Sequence, residues 1–319
     1  MITKETDIAG ILNAGLGLKL AESIRIKETE KTYPIKTNIW DNWLPFAFRA
    51  FKIIQKKSEG ESTEIRSFAS IGTSNGADAI GAMHAFPELE KIVLTDFSKE
   101  ALQVAEENVK KHLGNRILFT RYGSLTKPLD ELKLDLIYEN LPNIPDGKNI
   151  NKGYKMASRY DKKILEHIEV PKEIDKHLLG VHYALLMGSK DFLTKNGSII
   201  CSIGGRVPYK LIKNMVESAG YKCKLLVMGF KVQTEPWEID DGYAKAELGE
   251  IKFNFYRYNK VVKLLNLRKE KIIGEISPKV IEEKLMPYKI SAKEAWEEYL
   301  KNNYSKFGHL VYIIRAMKK

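Results

Sequence analysis

Cysteine is nearly absent from this chain, which has only Cys201 and Cys223 among its 319 residues. Two thiols inside apolar, strand-like runs predict neither a disulfide framework nor a zinc site, so we expect a reducing, cytoplasmic environment. No stretch of about 18 consecutive apolar residues occurs, which argues against a membrane-spanning helix and a membrane partner. The first residues include acids and no long apolar run, so we expect no signal peptide.

Arginine-rich stretches interleaved with aromatic residues are also missing, although the formal net charge is +11. A basic field attracts RNA, DNA or small anionic substrates. The lysines are spread along the whole chain, often beside glutamates, whereas single-strand binders concentrate aromatic and basic residues in one groove. We therefore favour a solvated, lysine-rich surface and a small-molecule substrate, with an anionic one included, over a nucleic-acid partner.

The hydrophobic pattern divides the chain into three zones. Residues 1–64 are predicted to form a helical cap, whose aromatic helix begins near Asn42 because Pro45 fits only in a first turn. Residues 65–232 alternate short apolar runs with helices, which predicts a doubly wound α/β fold with a parallel sheet covered on both faces. Residues 233–319 are predicted to be a C-terminal elaboration that ends in a last strand.

The predicted strands of the central zone are Ser67–Ile71, Lys91–Thr95, Ile117–Arg121, Leu134–Tyr138, Ser198–Ile203 and Lys222–Val227. The predicted helices are Ala77–Phe86, Lys99–Leu113, Ile174–Leu193 and Pro208–Ala219. In the C-terminal zone we expect a strand at Ile251–Tyr256, a helix that includes Trp296 and Tyr299, and the last strand at His309–Ala316.

A glycine-containing turn follows the first predicted strand, with Gly72 and Gly76 at its two ends. Glycine permits a sharp turn and a close approach of backbone to a ligand, and the following helix offers free N–H groups. Asp96 ends the next strand, at the spacing where a carboxylate accepts hydrogen bonds from ribose hydroxyls. The dinucleotide fingerprint has two glycines separated by one residue, and this pair is missing here because the glycine after Gly76 is Gly81. The pattern therefore favours a nucleoside-containing ligand over NAD.

The segment Ile71-Gly72-Thr73-Ser74-Asn75-Gly76 resembles motif I of class I S-adenosylmethionine (SAM)-dependent methyltransferases, with Ser74 in place of the middle glycine. Asp96-Phe97-Ser98 and the helix after it look like the second motif of that family, and the resemblance covers about 65–232. It implies SAM as cofactor, with ribose on Asp96 and adenine against Phe97. The residues that it implies at the cofactor are Gly72, Thr73, Asn75, Gly76, Asp78, Asp96, Phe97, Ser124 and Asn140.

Two serines depart from this family pattern. Ser70 occupies the position of an acid before the first motif glycine, and Ser124 occupies that of an acid after the third strand. We expect Asp78 to compensate near the methionine end of the cofactor.

The end of the fourth strand, Glu139-Asn140-Leu141-Pro142-Asn143, is similar to the Asn-Pro-Pro-Tyr motif of HemK-like N-methyltransferases. That resemblance implies that the Asn140 side chain and a prolyl carbonyl accept hydrogen bonds from the target nitrogen. Leu141 and Asn143 depart from the motif, and the aromatic side chain that would stack on a planar amide or base is absent. A planar amino group is therefore the less favoured substrate.

The same strand end, together with His182 and Gln233, also looks like the metal-dependent C-methyltransferase domains of polyketide loading modules. This resemblance implies that His182 and Gln233 bind Fe(II) or Mn(II), with an acid such as Glu139 or Glu235 joining them. Methylation of an acidic carbon would follow, with Glu139, Asn140 and His182 as the catalytic residues. Taken alone, His182 on an apolar helical face also fits a hydrogen-bonded core histidine.

Three functions remain open. The favoured one is a small-molecule methyltransferase, with metal-assisted C-methylation as its most specific form. The second is an N-methyltransferase acting on protein or nucleic acid. The third is a non-catalytic subunit with a SAM fold, which the serines at 70 and 124 permit. In all three we expect Asp146–Lys172 and the N-terminal aromatic helix to flank the carboxyl ends of the strands, where doubly wound sheets bind ligands.

Overall fold

The computed structural model of this protein describes residues 3–58, 64–145, 159–267, 270–302 and 306–319. The N-terminal zone contains β1 (Thr3–Asp7), α1 (Ala9–Leu16), β2 (Arg25–Thr29) and α2 (Leu44–Ser58). Strands β1 and β2 pair antiparallel in a small separate sheet, so the expectation of an all-helical zone was wrong.

A long-range contact stabilises β2 where the local sequence gives little signal. The backbone N–H of Lys27 donates to Asn108 Oδ1 at 2.8 Å, and Asn108 Nδ2 donates to the Lys27 carbonyl at 2.9 Å. Both strands are rich in charged residues, so no apolar periodicity reveals them. Helix α2 begins two residues after Asn42 and has Pro45 in its first turn, close to the prediction.

The central zone follows the predicted alternation of strand and helix. Its elements are β3 (Ser67–Ile71), α3 (Ala77–Ala85), β4 (Lys91–Asp96), α4 (Lys99–Lys110), β5 (Ile117–Tyr122), β6 (Leu134–Glu139), β7 (Ile144–Pro145), β8 (Arg159–Tyr160), α5 (Lys172–Asp175), α6 (Gly180–Ser189), β9 (Leu193–Gly205), α7 (Tyr209–Ser218) and β10 (Tyr221–Val232).

The C-terminal zone adds short elements and one long strand. They are a π-helical turn (Ile239–Ala244), β11 (Phe255–Arg257), α8 (Tyr258–Leu264), β12 (Ile272–Ile273), α9 (Pro278–Leu285), β13 (Lys289–Ile290), α10 (Ala292–Lys301) and β14 (Phe307–Lys318). The strand expected at Ile251–Tyr256 is thus limited to β11.

The central sheet has the strand order β12-β10-β14-β9-β6-β3-β4-β5, and β11 and β13 extend it beside β14. Strands β3, β4, β5, β6 and β9 are parallel, whereas β14 is inserted antiparallel between β9 and β10. Ile71 is paired with Thr95 and with Glu139, so the carboxyl ends of β3, β4 and β6 lie at one edge. This topology confirms the doubly wound α/β fold.

Each face of the sheet has its own hydrophobic core. Phe68 and Leu136 pack with residues of α1 to α4, while their neighbours Ala69 and Ile137 pack with α6, α7 and the C-terminal zone. Successive residues of a strand point to opposite faces. Strands buried on both sides therefore read as continuous apolar runs, which is why the sequence revealed them.

The helix predicted at Ile174–Leu193 is divided in two. Leu178 has a positive φ of 58° between α5 and α6, and its carbonyl accepts a hydrogen bond from Asn143 Nδ2 at 3.0 Å. A short 3₁₀ turn at Lys190–Phe192 then leads into β9 at Leu193. None of the helices within the described ranges is long and apolar enough to cross a membrane.

Candidate cofactor and substrate site

Two adjoining cavities lie at the carboxyl edge of the sheet. The β4 cavity is lined by Asp96, Phe97, Tyr122 and Ser124, among other residues after β4 and β5. The β9 cavity is lined by residues after β9 and β10 and by the segment before α2, including Tyr33, Trp43, Asp78, Arg206 and Lys231. The residues that line both cavities are Gly72, Ser74, Asn140, Leu141 and Pro142.

The loop between β3 and α3 requires glycine at both ends. Gly72 has φ of +69° and Gly76 of +78°, a region that favours residues without a Cβ. A Cβ on Gly72 would lie 3.1 Å from Leu141 Cδ2, and one on Gly76 would lie 3.0 Å from the Ala105 carbonyl. The loop therefore places its backbone against the residues that separate the two cavities.

Ser74 replaces the middle glycine of the motif and also has a positive φ, of 55°. Its hydroxyl accepts a hydrogen bond from the Tyr33 N–H at 2.8 Å, and Asn75 Nδ2 donates to the Tyr33 carbonyl at 3.2 Å. The backbone of Tyr33 is thus attached to the loop through both of its polar groups. The serine has a structural role that glycine could not fill, since it ties the N-terminal zone to this loop.

Asp96 lies at the end of β4 with its carboxylate bordering the β4 cavity. Its two oxygens accept the N–H groups of Ser74 at 2.9 Å and of Ser98 at 2.8 Å. Burial raises the pKa of Asp96, and those backbone donors oppose the shift. Phe97 and Tyr122 lie exposed at the same cavity, with 45% and 57% of their surfaces accessible. A carboxylate beside open aromatic faces fits a ribose and its base.

Asp78 brings a carboxylate to the position where Ser70 lacks one. The Ser70 hydroxyl donates to Asp78, and Thr73 Oγ1 donates to Asp78 Oδ1 at 3.2 Å. Burial raises the pKa of Asp78 to about 6, although these hydroxyls and the Ala79 N–H lower it. Its side chain lines the β9 cavity next to the motif loop, as the expected compensation requires.

Asn140 is exposed at the junction of the two cavities. Among the residues that the structure describes, its side-chain amide has no hydrogen-bond partner. The neighbouring Glu139 is fully buried and lines neither cavity; it accepts the Leu141 N–H at 2.9 Å and His182 Nδ1–H at 2.9 Å. Asn143 Nδ2 donates to His182 Nε2 at 3.2 Å. Glu139 and His182 therefore fix the shape of the loop that presents Asn140.

Comparison with known proteins gives relatives of one kind. No protein-family model matches the chain. A bifunctional methyltransferase of Rickettsia typhi is 23% identical over 212 residues, covering 66% of this chain and 37% of that protein. A release factor glutamine methyltransferase of Moorella thermoacetica is 39% identical over 83 residues, or 26% of this chain and 29% of that protein. The chain thus spans about a third of the length of these curated relatives.

Among solved structures, the YcgJ protein of Bacillus subtilis aligns over 85% of this chain and 98% of its own, with 11% identity and a TM-score of 0.44. The decisive features are on the chain itself: the glycine turn after β3, the acid after β4, and β14 inserted antiparallel between β9 and β10. The chain has the class I SAM-dependent methyltransferase fold.

Within this methyltransferase fold, the expected Fe(II) or Mn(II) site is not supported. Both ring nitrogens of His182 are occupied by Glu139 and Asn143. Gln233 belongs to another network, in which its Oε1 accepts Arg206 Nη2 at 2.6 Å and its Nε2 donates to Glu238 at 2.5 Å. No group of three His, Cys, Asp or Glu side chains able to hold a metal occurs within the described ranges. A ligand set with open positions is therefore not assembled.

The β9 cavity is also lined by two buried cations that the sequence analysis missed. Arg206 follows β9, donates to Gln233 and His309 Nε2, and lies with its guanidinium 4.7 Å from the centre of the Tyr243 ring. Lys231 is 2% exposed near the end of β10, and its Nζ lies 5.5 Å from the centre of the Trp43 ring. Burial and Arg206 lower the pKa of Lys231 to about 7. A lysine inside the apolar run of β10 was the signal available in the sequence.

The segments expected to flank the carboxyl ends of the strands line the two cavities where they are described. Trp43 and Leu44, at the start of α2, line the β9 cavity, and Tyr160 and Ile164 line the β4 cavity. Residues 146–158 of the expected segment lie outside the described residues.

Proposed function

We propose that this protein is a SAM-dependent methyltransferase that methylates a nitrogen atom held at Asn140. The observation that carries this proposal is that the Asn140 amide, which has no hydrogen-bond partner among the described residues, lies where the β4 cavity and the β9 cavity meet. We assign the β4 cavity to the adenosine part of the cofactor, with Asp96 at the ribose and Phe97 at the base. The β9 cavity then receives the substrate, and Asp78 the methionine ammonium group.

Bound SAM would supply a methyl group attached to a positively charged sulfur. After transfer of the methyl group, that sulfur would be the neutral thioether of S-adenosylhomocysteine. No acid is needed for departure of this thioether, so the protein acts mainly by alignment of the nucleophile at about 3 Å. The Asn140 carbonyl oxygen accepts an N–H of the target and directs the nitrogen lone pair toward the junction. Asn140 would hold the acceptor nitrogen while the methyl group passes from the sulfur to it, and the methylated nitrogen would then release a proton to water.

Nitrogen is favoured over carbon as the acceptor for two reasons. The local sequence Asn140-Leu141-Pro142 resembles the N-methyltransferase motif, and one relative is named a release factor glutamine methyltransferase. The metal-assisted form of carbon methylation would need an enolate stabilised by a bound metal, and His182 and Gln233 are engaged in separate networks. Protein side chains are accordingly the first substrate class to test, before nucleic acid and small molecules.

The test incubates the full chain and radiolabelled SAM with a cell extract, which is afterwards separated into protein, nucleic-acid and small-molecule fractions. We expect label in one fraction, and we expect Asn140→Ala to reduce its rate of incorporation by at least about a hundredfold, as for loss of a polar group that acts on the reacting atoms. Asn214→Ala, an exposed residue on α7, is the matched control. An unchanged rate in Asn140→Ala contradicts the assignment, and SAM binding with no label in any fraction supports the non-catalytic subunit.

A further inference from the structure

We propose that Lys231 and Arg206 bind a carboxylate of the methyl-accepting substrate in the β9 cavity. This inference rests on the proposed function, since it assigns the β9 cavity to the acceptor. It names the substrate class as a nitrogen compound that also carries a carboxylate.

The first argument is that both cations have unused hydrogen-bond donors. Lys231 Nζ donates to the Val232 carbonyl at 2.9 Å, and no other described residue accepts from it. Arg206 donates through Nε and Nη2 to Gln233 and His309, while its Nη1 donates to none of the described residues. Both side chains line the cavity and are at least nine-tenths buried. Because both side chains line the cavity, these donors are available to a ligand that enters it.

The second argument is the charge of the cavity wall. Apart from Asp78 at the motif loop, the charged lining residues are Arg206, Lys231 and Glu238. Arg206 Nη2 lies 3.9 Å from Glu238, whereas Lys231 has no ion-pair partner among the residues that the structure describes. Behind the lining, Lys36 and Asp41 act on Lys231 with opposite signs. The ammonium group of Lys231 suits a carboxylate, whereas the two charges of a phosphate would be repelled by Glu238.

The third argument is position. Asp78 and the glycine loop follow β3, on the side shared with the cofactor motif, whereas Arg206 follows β9 and Lys231 lies near the end of β10. In the sheet order, β14 and β9 separate β10 from β6, the strand that presents Asn140. A carboxylate on these cations would therefore belong to the part of the substrate that extends away from the reacting nitrogen. Trp43 and Tyr243, which contact the two cations, supply apolar walls along that path.

The experiment uses the full chain saturated with S-adenosylhomocysteine and a matched pair of probes, titrated by calorimetry. Succinamate carries an amide nitrogen and a carboxylate, and succinamide is its neutral analogue of the same length. We expect succinamate to bind at least tenfold more tightly than succinamide. Lys231→Met should weaken succinamate binding by about tenfold to a hundredfold, the usual effect of losing a hydrogen bond to a charged group, and Lys222→Met, exposed at the other end of β10, should not change it.

A free acid and an acidic peptide present the same carboxylate, so a capped peptide containing adjacent glutamine and aspartate is titrated in parallel. Tight binding of succinamate alone identifies a small substrate, and tight binding of the peptide alone identifies a protein substrate; both support the carboxylate site. Arg206→Lys, which keeps the charge, shows whether the fork of the guanidinium is needed, and a melting curve of each variant verifies folding.

Two results would overturn the inference while leaving the proposed function intact. One is equal affinity for succinamate, succinamide and the peptide in the wild-type chain. The other is a loss of S-adenosylhomocysteine affinity in Lys231→Met as large as the loss of succinamate affinity, which would assign the cations to the cofactor's own carboxylate. Failure of the wild-type chain to bind S-adenosylhomocysteine would instead contradict the proposed function.

Discussion

At the scale of single residues, the Asp78 carboxylate is an acid of this site whose ionisation changes in mildly acidic solution. It is buried, bonded by the hydroxyls of Ser70 and Thr73, and has a pKa of about 6. Burial disfavours the charged form, so a cationic ligand beside Asp78 must bind the carboxylate in competition with a proton. We expect Asp78 to take the place of the usual acid of the family, as an acid that is partly neutralised in mildly acidic solution.

The affinity for SAM should therefore fall as the pH is lowered through about 6. Because a raised pKa means that the folded apo protein holds a proton on Asp78 below pH 6, we expect binding at pH 5 to be up to about tenfold weaker than at pH 7. Asp78→Asn should bind weakly at both values and show a smaller ratio between them. Calorimetry at the two pH values measures the ratio of the SAM affinities. If Asp78→Asn has the same ratio as the wild-type protein, the pH dependence of SAM binding belongs to another group.

At the scale of secondary-structure elements, the break between α5 and α6 determines how the loop after β6 is held. Asn143 reaches the Leu178 carbonyl at the break and His182 within α6. His182 in turn bonds Glu139, the last residue of β6. Buried side chains thus join the start of α6, the end of β6 and the loop that follows β6. Asn140 lies in that loop.

Removal of His182 should destabilise the whole arrangement rather than remove a metal. His182→Ala removes the histidine partner of the buried Glu139, and loss of one partner from such a buried pair typically costs about 3–5 kcal/mol in the free energy of unfolding. Urea denaturation measures the loss, and His167→Ala, which is exposed, should change stability by no more than about 0.5 kcal/mol. A melting temperature of the wild-type protein that drops on addition of a chelator would contradict this account and restore a metal at His182.

At the scale of the whole molecule, the parallel core was predictable because strands such as β3 are buried on both faces and therefore have continuous apolar sequences. The β4 cavity was predictable for a related reason, since Gly72, Gly76 and Asp96 are local signals at strand ends. The β9 cavity was not, because it is assembled from Tyr33, Trp43, Arg206, Lys231 and Glu238, which are distant in sequence. The prediction that His182 and Gln233 bind one metal was not supported for the same reason. Spacing along the chain does not show which hydrogen-bond network a buried polar side chain joins.

The most direct measurement of the central claim is a calorimetric titration of SAM into the wild-type protein and Asp96→Ala. The account predicts one site in the wild-type chain and an affinity about tenfold to a hundredfold weaker in the variant, because a charged hydrogen bond to the ribose is lost and the Ser74 N–H loses its acceptor. Equal affinities in the two proteins, or no binding of SAM to the wild-type protein, would contradict the account.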